Sequence, residues 1–327
     1  MLTRRRFLAA TGGLAAVVAA GQGVAAGLPA TRARVALVKD VPRAEAIPRA
    51  LGLLGVNPVR GRRVLLKPNF NTADPFPAST HNDTLAALIA QLRALGAAEI
   101  AIGERSGPPD TGDVLRDKGI PELCRALGVG LVNFEDLPPE GWVRVRPPGS
   151  HWNDGFDVAK PVLDAEAVVT TCCLKTHRYG GVFTLSLKLA VGMTHKRNMR
   201  ELHTSFRSMR KMIAELNLAY TPALVLLDGT DAFTTGGPSE GTLRHAGVIA
   251  AATDRVAIDA VGVAVLKELG STSAIMDTPI FQQEQIARAV ELGLGVSGPA
   301  GIELVTADPA SRAYAERLRG ILDRDGV

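Results

Sequence analysis

Five apolar runs in this sequence end on residues that can do chemistry. The run at 64–66 gives way to Lys67-Pro68-Asn69-Phe70-Asn71, and the run at 100–103 to Glu104-Arg105-Ser106-Gly107. The run at 168–174 ends in Lys175-Thr176-His177, and the run at 224–227 in Asp228-Gly229-Thr230-Asp231. The fifth, at 249–252, is followed by Thr253-Asp254-Arg255. Lysine is a compact, mobile positive charge, so Lys67, Lys175 and Lys188 are candidates to neutralise a carboxylate or phosphate. Lys67 precedes a proline, which biases its backbone toward the extended form and holds its side chain at the strand exit. Asn69 adds a neutral donor and acceptor. His177 titrates near neutrality and can act as acid, base or metal ligand. We assign catalytic roles to Lys175, His177 and Asp228. Ligand binding falls to Lys67, Asn69 and Lys188 and to two glycine pairs, Gly180-Gly181 and Gly236-Gly237, where backbone can approach a ligand closely. Glu104 and Asp231 are the candidates to hold a cation. Each polar strand end, taken singly, also reads as an ordinary solvated loop.

These residues need a scaffold that brings them together. Short, continuous apolar runs bounded by Gly, Pro or charge are the pattern of strands buried on both faces. They recur at 35–38, 64–66, 100–102, 130–132, 167–171, 224–227, 248–251 and 303–305. Helical spacing lies between many of them, at 84–95, 255–269, 279–292 and 311–322. Strand–helix alternation predicts an α/β fold with an open, mostly parallel sheet flanked by helices. In such sheets ligands bind outside the carboxyl ends of the strands, where all five polar ends would converge. The Pro- and Gly-rich stretch 137–154 breaks the rhythm and reads as a small β excursion. After the Gly180-Gly181 pair, residues 182–189 read as a helical face with Lys188 at its edge. A second helix follows, capped by Asn198, with a stripe of Met199, Leu202, Phe206, Met209, Ile213 and Leu216. Arg200, Arg207, Arg210 and Lys211 fall on its other faces, which reads as a solvated basic surface or a partner site.

The N-terminus reads as a targeting segment. Thr3-Arg4-Arg5-Arg6-Phe7-Leu8, a mild apolar stretch and Val24-Ala25-Ala26 form the charged, apolar and small-residue regions of a secretory leader. The order Thr-Arg-Arg-x-Phe-Leu is similar to the twin-arginine export signal. We therefore expect a leader over 1–26, one α/β domain over 27–327, export to the periplasm or another extracytoplasmic space, and the twin-arginine translocase as a partner. The chain has 37 Lys+Arg and 33 Asp+Glu; the leader holds three of the basic residues and no acid, leaving 34 against 33. The basic balance is thus a property of the leader and does not argue for nucleic acid. The three cysteines, Cys124, Cys172 and Cys173, form no Cys-x-x-Cys, so no iron–sulfur cluster is expected from this chain's own thiols; which cofactor it takes, if any, is left open. The phosphate-loop pattern is absent, and no Gly-x-Ser-x-Gly or Gly-x-Gly-x-x-Gly run stands between a strand pattern and a helix pattern, as a nucleophile elbow or a dinucleotide-binding turn requires.

Several blocks in order resemble one family. Val64-Leu65-Leu66-Lys67-Pro68-Asn69, Leu174-Lys175-Thr176-His177, Thr184-Leu185-Ser186-Leu187-Lys188, Asp228-Gly229 with Gly236-Gly237-Pro238, and the block at 253–260 are similar to the signature blocks of the domain of unknown function 362 family. The resemblance runs over about residues 33–293. It implies a family without a settled general function and picks out Lys67, Lys175, His177, Lys188, Asp228 and Asp259. Many of its members carry an added ferredoxin-like cysteine segment that this chain lacks. In the family an Asn usually follows the second lysine of the helical block; here Leu189 stands there. Together these readings point to an exported enzyme binding a small anionic ligand in a crevice lined by Lys, His and Asp. The competing reading is a non-catalytic periplasmic binding or accessory protein for a redox partner.

Overall fold

A computed structural model of the chain describes residues 32–325; the leader expected over 1–26 lies outside them. Eleven strands form in the order β1 (Ala33–Lys39), β2 (Arg63–Lys67), β3 (Glu99–Glu104), β4 (Gly130–Asn133), β5 (Trp142–Val145), β6 (Phe156–Ala159), β7 (Ala167–His177), β8 (Val182–Thr184), β9 (Pro222–Gly236), β10 (Gly241–Ala252) and β11 (Ile302–Val305). Nine of them build one sheet in the order β11-β1-β10-β9-β7-β2-β3-β4, with β8 paired to β7. Neighbours run parallel except at β10, which is antiparallel to both β1 and β9, and at β8, antiparallel to β7. The fold is therefore α/β with a mixed, mostly parallel sheet.

The strands form where expected because their apolar residues face two cores. Along β1, Val35 and Leu37 enter one core while Ala36 and Val38 enter the other. The first core also receives the helix Arg255–Leu269, started by Asp254, whose carboxylate accepts the N–H groups of Val256 and Ala257. The second receives the helices Arg43–Leu53 and Asn82–Ala94. Each leucine or isoleucine so buried contributes roughly 1.5–3 kcal/mol.

Four local expectations need correction. First, β10 runs against its neighbours, so Thr253-Asp254-Arg255 lie at the opposite rim from Lys67 and Lys175. Arg255 is buried there against the carbonyls of Asn217 and Tyr220. Second, β9 does not end at Asp228; Cys173 pairs with Asp228 and Leu174 with Ala232, so residues 229–231 bulge out and the strand continues to Gly236. Third, residues 182–189 are not one helix. β8 pairs back on β7, with Val182 at φ 62°, and a 3₁₀ segment follows at Leu187–Met193. Fourth, the stripe after Asn198 belongs to two helices, Met199–Thr204 and Met209–Leu216, and the break leaves Phe206 76% exposed. Asn198 does not cap by its side chain; its Oδ1 accepts the Asp157 N–H at 3.0 Å. Arg210 is no solvated charge, since it pairs with Glu284 and donates to the Gly180 carbonyl.

The stretch around 137–154 leads into a separate two-stranded antiparallel sheet, β5 with β6, and the carboxylate of the buried Glu215 ties it down. Glu215 accepts from His151 Nδ1 at 2.6 Å and from Arg288 Nη2 at 2.9 Å. Among the described residues no helix is long and apolar enough to cross a membrane.

Candidate functional site

Three strands deliver side chains to one cavity of about 50 Å³ at the carboxyl rim of the sheet. β2 brings Lys67 and the following Asn69, β3 brings Glu104, and β7 brings Lys175 and His177. Lys175 and His177 share a face of β7 because they are two residues apart, and β8 places Thr184 directly opposite Lys175. Lys188 enters from the 3₁₀ segment.

The Lys67–Glu104 pair is closed. Both side chains are almost wholly buried and in direct hydrogen bond. Lys67 also donates to the Pro68 carbonyl at 2.7 Å, and Glu104 accepts the Phe70 and Arg105 N–H groups at 2.8 and 2.9 Å. Burial pulls the ammonium down and pushes the carboxyl up, each effect opposed by the partner's charge. This saturates Glu104 and argues against its expected role as a cation ligand.

Lys175 and Lys188 are open. Lys175 is fully buried and makes no ion pair among the described residues; it donates to two carbonyls, Ala78 and Pro238, leaving one N–H of its three. Lys188 is half-buried and has neither a hydrogen bond nor an ion pair among the described residues. Burial draws Lys175 down to about 8. Burial, then the charges of Lys175 and Arg105, draw Lys188 down to about 7. His177 is pushed to about 2 by burial and by the two lysines, so its empty-site form is neutral, and its Nδ1 is buried without a partner. Thr184 Oγ1 is likewise buried and unpartnered. The arrangement is two ammonium donors, an imidazole and a hydroxyl around a space that holds a few water-sized groups, which is the donor set for an oxyanion headgroup.

Glycines let this space close up. A Cβ on Gly181 would lie 3.0 Å from both His177 Nδ1 and Lys188 Cε. Gly237, at φ 64°, packs its backbone onto the Thr176 carbonyl, where a Cβ would sit at 1.8 Å. It thereby seats the β9–β10 turn so that Pro238 lines the cavity. None of the four glycines expected to bind ligand, Gly180, Gly181, Gly236 and Gly237, is in the lining itself, and the Gly180 carbonyl accepts Arg210.

Two expected members are elsewhere. Asp228 is fully buried but outside the cavity, held by Arg43 Nε at 2.7 Å, Thr84 Oγ1 at 2.5 Å and Thr230 Oγ1 at 2.8 Å. Asp231 pairs with His245 Nδ1 at 2.9 Å in the β9–β10 bulge, so it shares no site with Glu104. Among the described residues no group of three or more His, Cys, Asp or Glu is placed to hold a metal ion.

Three further residues support the site, and of these the family resemblance picks out Asp259. Arg105 donates to the carbonyls of Val191 and Thr194, and Asp259 accepts the N–H groups of Ser186 and Leu187 at 2.7 and 3.1 Å. Between them they fix both ends of the segment carrying Lys188. Burial pushes the Asp259 carboxyl up to about 8, against the pull of those two N–H groups. Gly192 lies against the closed pair; a Cβ there would come 2.8 Å from both Lys67 Nζ and Glu104 Oε1. Arg105 had one available signal, its place immediately after Glu104 at a strand end. Gly192, in an apolar run, had none.

The signature of a family described as domain of unknown function DUF362 matches residues 64–264, a span that holds every residue of this cavity. The chain belongs to that family. Relatives of this DUF362 protein include a thylakoid-associated protein of Synechocystis, 27% identical over 229 residues; the match covers 64% of this chain and 64% of that protein's length. Among solved structures, the lactate racemase apoprotein of Thermoanaerobacterium thermosaccharolyticum overlays with a TM-score of 0.46 at 13% identity, covering 89% of this chain and 88% of that one. A structural-genomics protein of Thermotoga maritima gives 0.44 at 14% identity, covering 71% and 58%. At that level of similarity neither overlay bears on the chemistry of the DUF362 site.

Proposed function

We propose that this DUF362 protein binds the oxyanion headgroup of a small molecule between Lys175 and Lys188, with Thr184 and His177 completing the shell. The observation that carries the reading is the pair of lysines without a carboxylate. Keeping a cation unpaired and largely away from water is costly, and the buried Lys175 and half-buried Lys188 each give way instead by a lowered proton affinity. An anion supplies the missing partner, restores both charges and gives the remaining N–H of Lys175 an acceptor. Lys67, Asn69 and Glu104 form the neutral floor of this site, and Gly181 lets the loop lie against it. His177 is the candidate acid–base group: neutral in the empty site, it gains basicity once the anion offsets the lysines. We further propose that residues 1–26 take the folded chain out of the cytoplasm through the twin-arginine translocase.

Calorimetry and thermal melting with inorganic phosphate, sulfate and acetate test the first part. A ligand at a hundred times its Kd stabilises by about 2.7 kcal/mol. We expect such a rise in wild type and its loss in Lys175→Met and Lys188→Met. No rise with any of the three at about pH 6.5, below the value of about 7 for Lys188, overturns the reading. For export, Arg4→Lys with Arg5→Lys is expected to retain the chain in the cytoplasm, and undiminished export of that variant overturns the route.

A further inference from the structure

A second, larger hollow opens directly off the anion chamber. It has a volume of about 360 Å³ and shares Asn71, His177 and Pro238 with the chamber's lining. Its walls include Pro108, the Tyr179 ring and His203, with Thr72 and Ser239 as polar points. The chamber holds a headgroup and little more; the hollow beyond it has room for the body of a small molecule.

Two of those walls are held ready. Tyr179 is 56% exposed, yet its ring is fixed from two sides. The Arg178 guanidinium lies over it at 5.0 Å and donates to its hydroxyl at 2.9 Å, and the His177 ring meets it edge-on at 6.0 Å between centroids. His203 donates its Nδ1 hydrogen to the Met199 carbonyl at 2.7 Å, which leaves Nε2 as the ring's free nitrogen. An exposed tyrosine held in place has already lost the freedom that binding would otherwise remove.

Resting on the anion reading above, we infer that the ligand is a two-part molecule: an oxyanion headgroup in the inner chamber and a planar ring in the outer hollow, packed against Tyr179 and His203, which set specificity for the ring. The headgroup chemistry is shared by phosphates and carboxylates. The ring follows from the walls: three aromatic rings, His177, Tyr179 and His203, and two prolines offer flat carbon surface that exceeds the polar surface of Asn71, Thr72 and Ser239.

Titration calorimetry on the full chain at about pH 6.5 tests this with inorganic phosphate, methyl phosphate and phenyl phosphate, and repeats the comparison with acetate against benzoate. Phenyl phosphate is expected to bind about tenfold more tightly than methyl phosphate, a gain of the size of one aromatic contact. Tyr179→Ala with His203→Ala is expected to erase that preference and leave the inorganic phosphate Kd unchanged. Both residues are exposed, so neither change threatens the fold. Whichever headgroup series shows the preference identifies the oxyanion. Equal binding of the ring and methyl ligands in both series overturns the inference, as does a preference that survives the double variant. If wild type binds no oxyanion at all, the anion reading falls first, a result distinct from loss of the ring preference alone.

Discussion

Asp228 and Lys175 lie on neighbouring strands at the same rim of the sheet, both fully buried, both charged by type. Their surroundings differ in one respect. Around Asp228 the protein supplies every partner: a guanidinium, two hydroxyls and the Thr230 N–H. Around Lys175 and Lys188 it supplies carbonyls or nothing, and no counter-charge within ion-pairing distance among the described residues. A buried charge whose partners are all internal is part of the fold. A buried charge that lacks a partner is a place for something that arrives later. The comparison separates a structural cluster from a binding cluster where residue type and position on the strand do not.

The largest effect that sharpens this contrast is on stability. Asp228→Ala strands the Arg43 guanidinium, and breaking a buried pair costs about 3–5 kcal/mol; because Arg43 keeps some exposure, we expect about 3 kcal/mol by urea unfolding. Phosphate affinity of the variant, measured at a temperature where it is folded, is expected to stay near that of wild type. A large loss of affinity would place Asp228 back in the site and break the contrast. Lys175→Met and Lys188→Met should do the reverse. Removing a buried or half-buried cation that has no counter-charge leaves unliganded stability unchanged or about 1 kcal/mol higher, while anion affinity falls by about 2 kcal/mol, roughly thirtyfold. Destabilisation by both lysine variants would mean that an internal partner has been overlooked.

The proton balance gives a smaller, signed effect. Unfolded lysine holds its proton to about pH 10.4, whereas Lys188 and Lys175 release theirs at about 7 and about 8 in the folded, empty protein. Between those limits the unfolded chain binds more protons, so the lysine contribution to stability rises with pH. Asp259, pushed up to about 8, contributes in the opposite sense below that pH, so the clean quantity is a difference. Wild-type stability minus that of Lys188→Met is expected to climb from pH 7 toward 10. With saturating phosphate, which favours the charged lysine, the climb should vanish or invert. A flat difference without phosphate would show that Lys188 keeps its proton unaided.

Much of this was legible in the chain, for a physical reason. Strands buried on both faces are apolar throughout, so their positions and polar ends could be read directly. Strand direction could not, because an apolar run looks the same in either sense; that is why Asp254 and Arg255 were expected at the wrong rim. The stripe from Met199 to Leu216 kept helical spacing across a break at 205–208, and spacing alone carries no account of Phe206 turning outward. For the site, residue types were readable and partnerships were not. Asp228 looked as available as Lys175, yet its partner Arg43 lies 185 residues away in the chain. Val182 at positive φ, which reverses the chain into β8, is a conformation that a β-branched residue gives no warning of.

The smallest expected effect probes the wall between the histidine and the second lysine. Gly181 has no positive-φ requirement, so Gly181→Ala costs little backbone strain, and what changes is space. The new methyl would stand 3.0 Å from His177 Nδ1 and from Lys188 Cε, closer than ordinary van der Waals contact. Lys188 is the more mobile of the two, being half-buried and unbonded, so it is the side chain that should yield, swinging its ammonium away from Lys175. We therefore expect a fall in phosphate affinity of about 1 kcal/mol, some fivefold, with melting of the unliganded protein moved by no more than the ~0.5 kcal/mol typical of benign substitutions. Gly192→Ala supplies the contrast. Its methyl would wedge against Lys67 and Glu104, which cannot move without breaking their bond, so its cost should appear as lost stability. If Gly181→Ala also appears chiefly as lost stability, Lys188 is held as firmly as Lys67, and the division between an open and a closed pair of charges does not stand.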